Sequence, residues 1–324
     1  TPRYRRILRA LNLREPEDVV PCYQPVLSCA HHLTGRPVIT NDDFRAATTA
    51  KERDRLCRQS ADDLIEIAER LDWSLVMVYA PFAGEAHLEV VAELRRRADG
   101  RFMVGSWTNG GVLTIPPGDR LEEFCYRLAD EPQSVHAEAR KGMEAASAWG
   151  ERCVQAGSEL LILANDVASN QGPLLSPSGF AEFVTPYLHR HVERLKRSGA
   201  WIVFHSDGRL DPVLDQIVSC GIHGLNPIDA RAGMDIAEVK RRYGRKIALF
   251  GNVRADLVHR GTLEEIRESA RYCLESAKAG GGLVYTCSSE VFPDTPWLNV
   301  LEMEAARQRW GRYDAPARIR EGTR

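Results

Sequence analysis

His205, Asp166, Asp207 and Cys287 are the side chains of this 324-residue chain best suited to chemistry. Each stands just after a short apolar run: LLILAND ends in Asn165-Asp166, WIVF leads into His205-Ser206-Asp207-Gly208, and LVYT leads into Cys287. An imidazole in such a place can ligate a metal, act as general acid or base, or donate a hydrogen bond while neutral. Asp207 is near enough in the chain to orient it. One imidazole, one carboxylate and one thiolate also make a zinc ligand set with a position open, so His205, Asp207 and Cys287 form a candidate metal site. The alternative for Cys287 is an inert buried thiol. Asp166 suits holding a cationic centre or accepting hydrogen bonds from a substrate, and its competing role is a loop or helix cap. Asn165, Asn226, Asn252, Glu290 and Tyr79 stand at or near the ends of such runs and are the candidate substrate contacts, although asparagine also serves tight turns.

These groups meet only if the runs are strands of one sheet. Eight runs, at residues 19–26, 74–79, 102–106, 159–163, 201–204, 221–225, 247–250 and 283–285, alternate with amphipathic helical stretches. That alternation predicts repeated βα units and a parallel sheet buried on both faces. Eight runs suit a closed barrel better than an open sheet of five or six strands, and a barrel gathers its reacting groups at the carboxyl ends of its strands. The expected fold is α/β: a single (β/α)8 TIM barrel over residues 1–324, with an N-terminal helical extension at 1–17 and a C-terminal tail at 308–324. Asp119, Ser176-Pro177 and Thr262 are expected to open helices, the second of them running through SGFAEFVTPYLHRHVERLKRS. No linker rich in Pro, Ser or Gly divides the chain.

Composition narrows the function classes. The chain is 44% hydrophobic and 27% charged with a net charge of -2, so no basic field draws it to nucleic acid. No apolar run approaches the roughly 18–20 residues that cross a bilayer, and the first residues lack the core of a secretory signal, which together predict a cytoplasmic protein. Eight cysteines without CxxC spacing argue against a disulfide framework or a zinc knuckle and predict reduced, mostly buried thiols. The glycine-rich stretches AGGGLVYT and TNGGVLTIPPG match no phosphate loop, and GxSxG, HExxH and EF-hand patterns are missing.

The block LILANDVASNQGPLLSPSGFAEFVTPYLHRHVERLKRSGAWIVFHSDG, with GIHGLNPIDARAGMDIAEVKRRYGRKIALFGNV and VFPDTPWLNVLEM after it, resembles the uroporphyrinogen decarboxylase superfamily. The resemblance implies a (β/α)8 barrel and either of two chemistries: cofactor-free decarboxylation of a tetrapyrrole with eight carboxylate arms, or zinc-dependent methyl transfer between a corrinoid and a thiol. The decarboxylases carry an Arg-Gln-Ala-Gly-Arg-Tyr motif where this chain reads Cys22-Tyr23-Gln24-Pro25-Val26, and His-Gly-x-Tyr-Pro-Asp where it reads Ser289-Glu290-Val291-Phe292-Pro293-Asp294. Many carboxylates without those cations are costly to bury, which disfavours that substrate. The methyltransferases hold zinc with His-x-Cys-Gly and a second cysteine. Here Asp207 stands for the first cysteine, and Cys287 lies two residues early for the second. A harder ligand set shifts the expectation toward an oxygen or nitrogen substrate. The resemblance thus implies a methyltransferase-like enzyme with zinc, a small-molecule substrate, a corrinoid as cosubstrate, a corrinoid carrier protein as partner and a homodimer. The alternatives are metal-free decarboxylation, with Asp166 stabilising positive charge and His205 as acid, and a ligand- or corrinoid-binding protein without turnover.

Overall fold

The computed structural model describes residues 1–24, 30–78, 83–113, 115–116 and 118–313. Its strands are β1 (Leu75–Val78), β2 (Met103–Asn109), β3 (Leu160–Ala164), the two-residue β4 (Ala168–Ser169) and β5 (Gly172–Pro173), β6 (Trp201–His205), β7 (Gly224–Asn226), β8 (Ala248–Val253) and β9 (Leu283–Cys287). β4 and β5 form a small antiparallel hairpin. The other seven form one parallel sheet in the order β1-β2-β3-β6-β7-β8-β9. Neighbours in the sheet are thus neighbours in the chain, joined by helical crossovers, which is the wiring of a TIM-type barrel.

Of the run expected as the first strand, 19–26, the described residues 19–24 close the sheet through isolated bridges. The Tyr285 N–H donates to the Pro21 carbonyl (2.8 Å), the Tyr23 N–H to the Tyr285 carbonyl (3.3 Å), and on the other side the Ser74 N–H to the Cys22 carbonyl (2.9 Å). Pro21 has no N–H to extend a ladder, so the eighth stave shrinks to a two-sided bridge between β9 and the approach to β1. Residues 25–29 lie outside the described part.

Strand periodicity sorts the side chains. Leu75, Met77, Met103, Leu160, Ile162, Val203, Ala248, Phe250 and Val284 pack together as the barrel interior. Alternate residues such as Val76, Val104, Leu161, Ile202 and Leu249 join the helices in the outer core. Helix Pro2–Leu11, capped by the Thr1 side chain, seals the amino-terminal end: Ile7, Ala10 and Leu11 belong to the interior cluster. At about 1.5–3 kcal/mol for a fully buried Ile or Leu, this helix is part of the core rather than an extension of it.

Three boundaries differ from expectation. Asp119 sits in a 3-10 turn, Gly118–Arg120, and helix Leu121–Asp130 starts after it without a side-chain cap. The segment after Ser176 is two helices, Pro177–Phe183 and Thr185–Arg197, broken at Val184 ahead of Pro186, which cannot donate back. The tail expected from 308 begins inside helix Trp297–Trp310. Ser176 and Thr262 cap their helices as expected, Thr262 through a full capping box with Glu265. Cys22, Cys57, Cys153, Cys220, Cys273 and Cys287 are buried free thiols, and Cys125 is exposed. No helix among the described residues is long and apolar enough to cross a membrane.

Candidate active site

The interior side-chain files of the strands continue past their apolar residues into a cavity of about 210 Å³ at the carboxyl end of the sheet. Trp107 follows Met103 and Gly105 along β2, His205 follows Trp201 and Val203 along β6, and Thr286 follows Val284 along β9. Asp166 lies two residues beyond β3. Asp207, Asn226, Tyr23 and residues 287–290 complete the described lining.

His205 is held through its Nδ1, 2.7 Å from the Asn226 Oδ1. An amide oxygen only accepts, so Nδ1 donates to it and Nε2 is left facing the cavity. That nitrogen lies 3.8 Å from the Asp166 Oδ1 and 3.9 Å from the Asp207 Oδ1. The orienting group is therefore Asn226, not Asp207. Trp107 packs nearly perpendicular to the imidazole, ring centroids 4.8 Å apart, and limits its rotation. An imidazole nitrogen and two carboxylates converging on one gap call for positive charge between them, as a proton on Nε2 or as a metal ion.

The two imidazole–carboxylate separations suit a metal ion. Ligand atoms of Asp166, His205 and Asp207 all lie within 4.8 Å of one another. Two ligands at about 2.1 Å from one ion are at most about 4.2 Å apart, which accommodates both imidazole–carboxylate separations. The Asp207 Oδ1 is buried with no hydrogen-bond partner among the described residues. Burial pushes its carboxyl above the usual range, a shift that His205 opposes and the nearby Asp166 and Asp229 reinforce.

The local sequence dictates this geometry. The Asp166 Oδ1 accepts from the Asp207 N–H (2.9 Å), and the buried Ser206 hydroxyl accepts from the Val167 N–H (3.1 Å), so the loops after β3 and β6 are tied side by side. Gly208 turns with φ +92, and a Cβ there would stand 2.8 Å from the backbone of Ala168 and Ser169 in the hairpin above it. Only glycine lets the chain pass beneath that hairpin.

The other candidates divide. Cys287 and Glu290 line the same cavity. Cys287 stands apart from the Asp166–His205–Asp207 group, with its thiol pushed up to about 12 by burial. Asn165 gives its N–H to the His205 carbonyl (3.0 Å) and is not among the lining residues, so it ties β3 to β6. Asn252 turns to the Ile228 carbonyl (3.1 Å) and serves the loop after β7. Tyr79 lies outside the described residues. Sequence reasoning missed Trp107 and Tyr23. Trp107 was legible as the next inward position of β2, one residue beyond the expected end of that run, whereas Tyr23 sits in the bridging segment that has no strand period.

The family model described as "Uroporphyrinogen decarboxylase (URO-D)" matches residues 77–310. A uroporphyrinogen decarboxylase of Pseudoalteromonas translucida is 30% identical over 220 residues, 64% of this chain and 59% of that protein. The methylcobamide:CoM methyltransferase MtaA of Methanosarcina barkeri is 29% identical over 168 residues, 52% of this chain and 46% of that protein. The chain thus spans about half of the length of these curated relatives. A solved methyltransferase structure from Methanosarcina mazei superimposes with a TM-score of 0.74 over 95% of this chain and 98% of its own at 18% identity, which supports the barrel fold. By the family match over most of its length, this chain belongs to the uroporphyrinogen decarboxylase family.

Proposed function

We propose that this chain is a methyl-transfer enzyme in which Asp166, His205 and Asp207 hold a zinc ion beside a small polar substrate, with a corrinoid or its carrier protein at the barrel mouth. The observation that carries the reading is the convergence of the His205 Nε2 and two carboxylates, at 3.8 and 3.9 Å, on one gap. A divalent ion held there supplies Lewis acidity that lowers the pKa of a bound hydroxyl, amine or thiol. The protein's own part is orientation. Asn226 fixes the imidazole tautomer, Trp107 fixes its plane, and the tied loops after β3 and β6 hold the carboxylates.

The same gap filled by a proton gives a second reading, metal-free decarboxylation with His205 as acid, and the decarboxylase relatives favour it. Against a substrate with many carboxylates, the described lining residues include Asp166, Asp207 and Glu290 but no lysine or arginine.

Metal analysis of protein purified without chelator separates the two. The expected result is about one ion per chain, lost in both Asp166→Asn and Asp207→Asn. Folded protein that takes up no metal on titration overturns the methyl-transfer reading in favour of the proton.

A further inference from the structure

The β9 wall of the cavity is held by a residue outside the cavity. In a parallel ladder continuing from the Tyr285 bonds to Pro21 and Tyr23, the next N–H of β9, that of Cys287, would go to the Tyr23 carbonyl. It goes instead to the side-chain Oε1 of Gln24, at 2.8 Å. The same oxygen accepts from the Thr286 hydroxyl, at 3.1 Å. Gln24 is 2% exposed, so its amide has no water to turn to.

Its orientation is imposed from behind. The Gln24 Nε2 donates to the Glu304 Oε1 (3.4 Å), which also accepts from the Trp73 indole (3.4 Å). The other Glu304 oxygen takes the Arg307 guanidinium (3.4 Å), itself fully buried and bonded to the Val20 and Leu71 carbonyls. A carboxylate accepts only, so the amide NH2 must face Glu304 and the amide oxygen must face β9.

We propose that Gln24 is the positioning residue of the cavity's β9 wall, its side-chain amide replacing a missing ladder bond and fixing Thr286 and Cys287 against a buried ion pair. This rests on the reading of the cavity as the active site. Gln24 touches none of the groups around the Nε2 gap, so its role is separable from metal binding.

Residue-resolved hydrogen exchange on the metal-free full chain tests it. In Gln24→Met, of similar size without donor or acceptor, the Cys287 amide is expected to exchange at least tenfold faster, with amides of β3 and β6 unchanged. Gln24→Glu keeps the acceptor and shares one proton with Glu304, so Cys287 exchange is expected within threefold of wild type. Three results overturn the proposal: unchanged Cys287 exchange in Gln24→Met, acceleration spread equally over β3 and β6, or Gln24→Glu exchanging as fast as Gln24→Met. Metal uptake, measured on the same samples, fails or succeeds independently, so loss of the metal reading is distinguishable from loss of this one.

Discussion

Asn226→Leu removes the acceptor that fixes the His205 tautomer while keeping a side chain of similar size. The lost bond is short, 2.7 Å, and the imidazole it orients is only 14% exposed, so little water can replace the amide oxygen. An unpaired buried N–H costs about 1–3 kcal/mol, and loss of a ligand's outer partner typically lowers metal affinity 10- to 100-fold, or about 1.4–2.8 kcal/mol. Poor access to water places the expected loss in the upper half of that range. Competition against a chromophoric zinc chelator measures it. Asn252→Leu is the control, because that amide bonds to the Ile228 carbonyl and not to the imidazole. It is expected to lower stability and leave affinity within threefold. A folded Asn226→Leu protein that binds zinc as tightly as wild type would refute the assignment of Nε2 as the ligand atom.

Gly208→Ala places a Cβ 2.8 Å from the β4–β5 backbone at φ +92, so chemical denaturation is expected to show a loss of at least about 1–3 kcal/mol, with metal uptake weakened as Asp207 shifts. Wild-type affinity and stability in this variant would dismiss the hairpin's role. The Asp207 carboxyl has a raised pKa in the fold, so its ionisation destabilises the metal-free protein above that pKa and not below the unfolded value of 3.8. Asp207→Asn is therefore expected to raise the Tm of metal-free protein at pH 7, the gain vanishing near pH 3, and to abolish uptake; a lower Tm at pH 7 contradicts this. His191, fully buried against Ser147, is held at about 4 from 6.5 by burial, so the folded state binds fewer protons than the unfolded chain between those values. Stability is then lost as pH falls through that window, by on the order of 3 kcal/mol from this group, and urea midpoints for His191→Gln should show a smaller loss.

Much of the barrel was legible because strand periodicity and helix capping are local. Thr262 and Ser176 announce their helices through side-chain oxygens aimed at nearby N–H groups. The inward files of β6 and β9 could be followed from apolar residues to His205 and Thr286. The limit was pairing across the barrel. Asn226 and Asn252 end neighbouring strands and look alike in the chain, yet one orients the imidazole and the other a loop, a difference set by what β6 and the segment around Ile228 bring near them. Asp166 and Asp207 lie 41 residues apart in the chain and meet where the Asp207 N–H donates to the Asp166 carboxylate. The run 19–26 read as a strand because it is largely apolar, but in its described part Pro21 and a single-residue register leave the ladder to be finished by a glutamine side chain.

On the proposed metal reading, Asp207 in place of the methyltransferases' cysteine bears on what the site would activate. A thiolate-rich zinc centre is soft and suits a thiol; an imidazole with two carboxylates is harder and shifts preference toward oxygen or nitrogen donors. Cys287 lines the same cavity but lies outside the group formed by Asp166, His205 and Asp207, so the proposed ligand set is the harder one. Cobalt-substituted protein is therefore expected to bind a small alcohol or amine at least as well as a thiol of the same size, read as a shift of its cobalt absorption spectrum. Asp207→Cys, by contrast, should reverse the order. Tighter thiol binding by the wild-type chain than by Asp207→Cys would mean that the ligand at position 207 does not set the preference.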